Sequence, residues 1–381
     1  MSVKVLYAKQ IEDFSGEVLS EDYLSEYFSE AGNMLRAMQK EGLKVGYFFI
    51  DPLMDVFESG NKFYMKVLKC GMIPKAAFYR SGAGPSHAFA DALTMIGAGV
   101  FDAVAIFAYE PLQHNRIYRG REEISRAMKV LDANLFKCYN DIMQELIDDL
   151  SVSVDEYRDL TDLLYENYAR SYRALYPDRN IPEDRGKFMD DAGGPLFRMT
   201  DCANPNIDYA GGVIMCNDRA AEYFPGKKPR GKVVAASHYM VSADWQHPET
   251  IVGSADNIFP HLRKCFDDLE EQAGFTMKDA YQKGELLLNA YTCYPPVPFA
   301  FLLAGGFASN AGEIREFLQK DLITLDGGLS IGRAPWNCPA LRASILVADR
   351  LEEGKASYGL VQANGGIGET QGLILVGRAD G

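Results

Sequence analysis

The sequence predicts an α/β protein built from two similar halves, and two observations carry this. Helical and strand signals alternate with short connections over most of the 381 residues, the pattern of layered α/β folds. Two stretches also share one design. SGAGPSHAFADALTMIGAG (81–99) and RAPWNCPALRASILVADRLEEG (333–354) each run from a turn of small residues and proline into a helix that closes on a glycine, with a strand after it. The halves are expected at 1–230 and 231–381.

In the first half, EDYLSEYFSEAGNMLRAMQKEG has helical spacing and ends on Gly42, and KVGYFFID reads as a short aromatic and β-branched strand. NKFYMKVLKCG reads as a helix ending on glycine, AAFYRSG as a strand running into the turn at Gly82, and FDAVAIFAYE as a buried strand. Residues of about 115–205 read as a lid or loop insertion: SVDEYRDLTDLLYENYARSYRALYPD is amphipathic, and NIPEDRGKFMDDAGGPLF is punctuated by Gly and Pro. YAGGVIMCND and GKVVAASHYMVS return to strand. In the second half NIFPHLRKCFDDLEEQAG is a helix, GELLLNAYTCYPP a strand entering a turn, FAFLLAGGF a short helix and YGLVQA a strand. GGIGETQGLILVG closes the chain as a glycine loop and a final strand.

Hydrophobic residues make up 47% and charged residues 24%, an ordinary globular composition. The net charge of −14 argues against nucleic acid and anionic membrane as main partners. The seven cysteines are odd in number and form no CxxC or Cys/His cluster, so reduced thiols and no metal site are expected. MSVKVLYAKQIEDF has no signal-peptide pattern and no apolar run approaches a membrane span, so a cytoplasmic location is expected.

Five segments in order resemble the thiolase superfamily, in particular its lipid-transfer-protein-like (SCP2-type) branch. They are SGAGPSHAFADALTMIGAGVFDAVAIFAYE, NPNIDYAGGVIMCNDRAAEYF, AYTCYPPVPFAFLLAGGF, LDGGLSIGRAP and QANGGIGETQG. The resemblance covers nearly the whole chain. It implies a five-layered αβαβα fold, usually a tight dimer, and carbon–carbon bond chemistry on acyl-CoA, with the coenzyme A thioester as substrate and no further cofactor. The family's reactive residues are not carried here. Its nucleophilic Cys falls on Gly82, its Gly-His-Pro histidine on Ala334, its last-loop Cys or His on Ala363 (followed by Asn364), and its tetrad Asn on Tyr291. Glycine cannot hold an acyl group, so covalent thiolysis is not expected from this chain. Ser81 is one residue off on the turn, and its side chain is expected to point elsewhere.

What remains could still do chemistry. Backbone N–H groups at Gly82 and at Asn364, Gly365 and Gly366 could hold a thioester oxygen or enolate. Tyr291 could give or take a proton, as is thought of thiolase relatives that lack the cysteine and cleave hydroxyacyl-CoA thioesters by retro-aldol chemistry; alternatively its ring only fills vacated space. Cys293 and Cys338 are at the site by resemblance, with no histidine near in sequence to activate them. His87 is either a buried, bonded helix residue or a base, and His114 a possible substrate contact. RIYRGR and PGKKPRGK are candidates for the CoA phosphates or simply solvated loops.

Two readings follow. One is an enzyme acting on a C–C bond of a β-hydroxy- or β-ketoacyl-CoA without a cysteine nucleophile. The other is a non-catalytic thiolase-like subunit of a hetero-oligomeric acyltransferase. Under either, the resemblance implies a homo- or heterodimer with a thiolase-like chain and a small OB-fold, zinc-ribbon partner.

Overall fold

The computed structural model describes residues 3–52, 59–71, 75–120, 129–130, 133–189, 194–242, 247–252 and 259–379. The strands are β1 (Val3–Asp13), β2 (Val45–Ile50), β3 (Ala76–Tyr79), β4 (Ala103–Pro111), the two-residue pair β5 (Lys129–Val130) and β6 (Ala133–Asn134), β7 (Asp208–Cys216), β8 (Gly231–Met240), β9 (Leu286–Asn289), β10 (Tyr358–Gly365) and β11 (Thr370–Gly377). Nine of them form one mixed sheet in the order β3-β2-β4-β7-β1-β8-β11-β10-β9. The first-half and second-half strands join through only three residue pairs, Val3–Val5 of β1 against Gly231–Val233 of β8. This short junction lies at the start of β8.

Period-two alternation sorts each strand between two cores. In β4, Val104, Ile106 and Ala108 face a central core, while Ala103, Ala105 and Phe107 face an outer one. In β11, Ile374 and Val376 face the same central core, and Leu373 and Leu375 face a second outer core. The central core is filled by two helices, Gly84–Gly97 and Pro339–Glu352, each of 14 residues with proline in the first turn. Helices Glu21–Tyr27 and Ser29–Lys40 cover one outer face, and Pro260–Ala273 and Pro296–Ala304 the other. The result is five layers, αβαβα, with the paired helices between the strands of the two halves.

Three details differ from the sequence reading. The long N-terminal helix is interrupted at Phe28, which is fully buried edge-on against Phe63 and Phe107. NKFYMKVLKCG forms a short helix followed by a π-helical turn over Phe63–Val67. And β1, an 11-residue strand, occupies the N-terminal segment, for which the sequence pattern predicts no element. The insertion carries helices Leu112–Arg119, Leu135–Leu150 and Val154–Leu175, the last opening on a Ser153–Glu156 capping box. All seven cysteines are free and buried. Among the described residues no helix is long and apolar enough to cross a membrane, and no group of three His, Cys, Asp or Glu could hold a metal.

Candidate active site

A cavity of about 200 Å³ lies where the turn after β3, the end of β9, the segment 334–337 and the end of β10 converge. Tyr291, Cys293, Asn364, Gly365, Gly366 and Gly82 all line it. Four sequence segments therefore meet here, the first of them more than 200 residues from the other three.

The turn at Gly82 has a clear physical reason. A Cβ there would lie 2.3 Å from the Tyr291 hydroxyl and 2.2 Å from the Asn364 carbonyl oxygen, so no side chain fits while Tyr291 holds its place. The phenol occupies the space that a side chain at position 82 would need. Its Oη donates to the Trp336 carbonyl at 3.2 Å, and its backbone N–H donates to Gln362 Oε1 at 3.0 Å. Strain is taken up one residue earlier, at Ser81, with φ +106°. Ser81 does not point away, as its place on the turn had implied. It lines the cavity, and its Oγ accepts from the Ala83 N–H at 3.3 Å.

Asn364 anchors the opposite wall. Its Nδ2 donates to Tyr139 Oη at 2.9 Å, and its Oδ1 accepts from Gln371. Tyr139 Oη donates in turn to the Gly366 carbonyl at 3.0 Å, and the ring stacks on Tyr294 at 4.0 Å. These partners fix the amide and the glycine loop in one geometry. Ala363, placed by resemblance at the family's reactive position, belongs to the central core instead; Asn364 is the residue of that strand end that faces the cavity.

Electrostatics limit what the walls can do. Burial, with Cys293, Glu110 and Cys338 adding, pushes the Tyr291 phenol well above its ordinary value, so it is neutral near pH 7. Burial likewise raises Tyr139 and Tyr294, and it pushes the Cys293 thiol up to about 12. Apart from Cys293, no cysteine, histidine or carboxylate lines the cavity among the described residues.

The remaining expected site residues lie elsewhere. Cys338 is fully buried, and its Sγ contacts Glu110 Oε2 at 3.3 Å; Asn337, beside it, does reach the cavity. His87 is half exposed on the central helix, stacked on His238 at 4.5 Å and paired with Asp91 at 3.6 Å. His114 packs on Tyr118 with Nδ1 3.0 Å from the Gly16 carbonyl oxygen. In PGKKPRGK, Lys227 pairs with Glu30, and Arg230 with Asp349 and Glu352. In RIYRGR, Arg116 faces a second cavity and Arg121 lies outside the described residues. Tyr139 was not foreseen: it lies in an ordinary amphipathic helix of the insertion, and nothing local marks it as a cavity residue.

No family model matches the chain, and no curated protein matches it either. Solved structures do. A monomeric SCP2-thiolase-like protein type 1 from Mycobacterium smegmatis aligns with TM-score 0.71 at 15% identity, over 99% of this chain and 77% of that one. The Ltp2–ChsH2(DUF35) aldolase aligns with TM-score 0.67 at 13% identity, over 99% and 98%. Human mitochondrial 3-ketoacyl-CoA thiolase aligns with TM-score 0.65 at 12% identity, over 99% of both chains. The chain has the thiolase fold.

Proposed function

We propose that this chain binds a β-hydroxyacyl-CoA and breaks its Cα–Cβ bond, or makes it in the reverse direction, without covalent acyl transfer. The observation that carries the reading is the Tyr291 phenol standing against Gly82, where a nucleophilic side chain cannot be accommodated. Retro-aldol cleavage moves one proton from the β-hydroxyl oxygen to the α-carbon. A single neutral phenol balances that exchange: it delivers its proton to the carbon and recovers the hydroxyl's, and no metal or free CoA is consumed. The amides of Gly82 and Gly366 border the cavity and supply donors for the thioester oxygen as negative charge develops on it. That an aldolase shares the fold supports the reading by analogy only.

Tyr291→Phe tests it. The ring and its packing remain, so KM stays near its original value while kcat falls by roughly 10²–10⁴-fold. Undiminished kcat would remove Tyr291 from the mechanism.

One observation favours the second reading, a non-catalytic subunit within a thiolase-like complex: no group with a near-neutral pKa lines the cavity among the described residues. In that case activity belongs to the complex and is indifferent to Tyr291→Phe. Under both readings the partners are an acyl-CoA, a thiolase-like chain and a small OB-fold, zinc-ribbon protein.

A further inference from the structure

A second and larger cavity, of about 800 Å³, shares Ala203 as a wall with the first. Three arginines from distant parts of the chain converge on it: Arg116 after β4, Arg179 after the long insertion helix, and Arg333 before the second central helix. No carboxylate lines it, although the chain carries a net charge of −14. Asn206 ties two of the arginines together, its Oδ1 accepting from Arg116 and its carbonyl oxygen from Arg333 Nη1 at 2.9 Å. The Arg179 and Arg333 guanidinium groups both lie over the Phe14 ring, at 4.7 and 5.1 Å. Among the described residues none of the three pairs with an acid.

Two independent features point to a ligand. The Ser330 hydroxyl, on the same wall, belongs to a residue only 7% exposed and has no hydrogen-bond partner. Arg333 holds φ +72°, a left-handed conformation that glycine would adopt without strain, so its side chain is kept there against a backbone cost. Burial and the repulsion of Arg116 and Arg179 also weaken the hold of Arg333 on its own proton. Three neighbouring cations without a counter-charge are relieved most directly by an anion.

We infer that this cavity is a binding site for a small molecule carrying a phosphate or carboxylate group, received by Arg116, Arg179 and Arg333 with Ser330 as a further donor. Its volume exceeds a bare ion and suits a ligand with a larger body, for which the rings of Phe14, Tyr165 and Tyr172 provide apolar wall. The site stands apart from the chemistry at Tyr291, and failure of that chemistry leaves it untouched.

Calorimetric titration of the full chain with pyrophosphate, adenosine 3′,5′-bisphosphate and glutarate tests the site at low and at physiological salt. At least one probe binds, and which one identifies the phosphate or the carboxylate as the anionic source. Affinity falls with salt, and falls roughly 10-fold or more in Arg333→Gly and in Arg179→Gln. Arg333→Gly relaxes the left-handed residue, so it retains the wild-type melting temperature or raises it, which separates lost binding from lost folding. Ser330→Ala weakens the same probe by a smaller factor. Absence of binding by all three probes, or equal binding by wild type and both arginine variants, overturns the inference.

Discussion

Gly82→Ala is a one-methyl change with a large expected cost. The new Cβ would stand 2.2 Å from the Asn364 carbonyl oxygen and 2.3 Å from Tyr291 Oη, where ordinary contact begins at 3.4 Å. Each neighbour must yield by about 1 Å. Tyr291 can do so by giving up its bond to the Trp336 carbonyl, but Asn364 is paired with Gln371 across β10 and β11 and is not free to follow. Overpacking of this kind costs about 3 kcal/mol. Urea unfolding followed by circular dichroism reads it as a lowered midpoint at unchanged slope. The pair Gly82→Ala and Tyr291→Ala separates the two contacts. Removing the phenol relieves one clash and leaves the other, so the double variant is more stable than the sum of the single ones by about 1–2 kcal/mol. A cost below about 0.5 kcal/mol for Gly82→Ala, or strict additivity, would refute the claim that the phenol fills the space beside Gly82.

Other expectations follow from buried ionisable groups. Burial pushes the Asp208 carboxyl up to about 6, against the pull of the His114 N–H at 3.0 Å. Because its folded value lies above its unfolded one, the stability it contributes is complete below about pH 4. That stability is lost as pH rises to about 6, a change of up to about 3 kcal/mol. Asp208→Asn flattens that part of the stability profile, and a wild-type profile already flat there would contradict the assignment. The Cys293 thiol, raised to about 12, should resist iodoacetamide at pH 8 in the folded chain and react only on denaturation, as read by peptide mass spectrometry. Fast modification of native Cys293 would reopen a thiolate mechanism.

Much of this architecture is legible in the sequence because burial imposes a period on it. The paired central helices betray themselves through small residues between glycines, and β2, β4 and β11 through apolar runs flanked on both faces. The meeting of Gly82, Tyr291 and Asn364 is what the resemblance to the thiolase superfamily implies. Their relation could not be anticipated: a sequence marks Gly82 as a missing nucleophile, and only packing shows the phenol standing in that space. β1 was obscured because several of its positions are only half buried and carry polar residues. Tyr139, Arg179 and Arg333 gave no signal, since each lies in an unremarkable local context and acquires meaning only from partners far along the chain, whereas Arg116 stood out only as part of the basic stretch RIYRGR.

The central claim is that this chain cleaves a C–C bond without a thiol acceptor. Its most direct test is product analysis with a panel of β-hydroxy- and β-ketoacyl-CoAs, incubated with the purified protein and any co-purifying partner, with and without free CoA. The account predicts that the β-hydroxyacyl-CoAs give a ketone or aldehyde plus a shorter acyl-CoA in the absence of free CoA, with the yield abolished by Tyr291→Phe, and that the β-ketoacyl-CoAs stay intact without free CoA. Cleavage only when free CoA and a second thiolase-like chain are both present would contradict it, and would place the nucleophile on that partner.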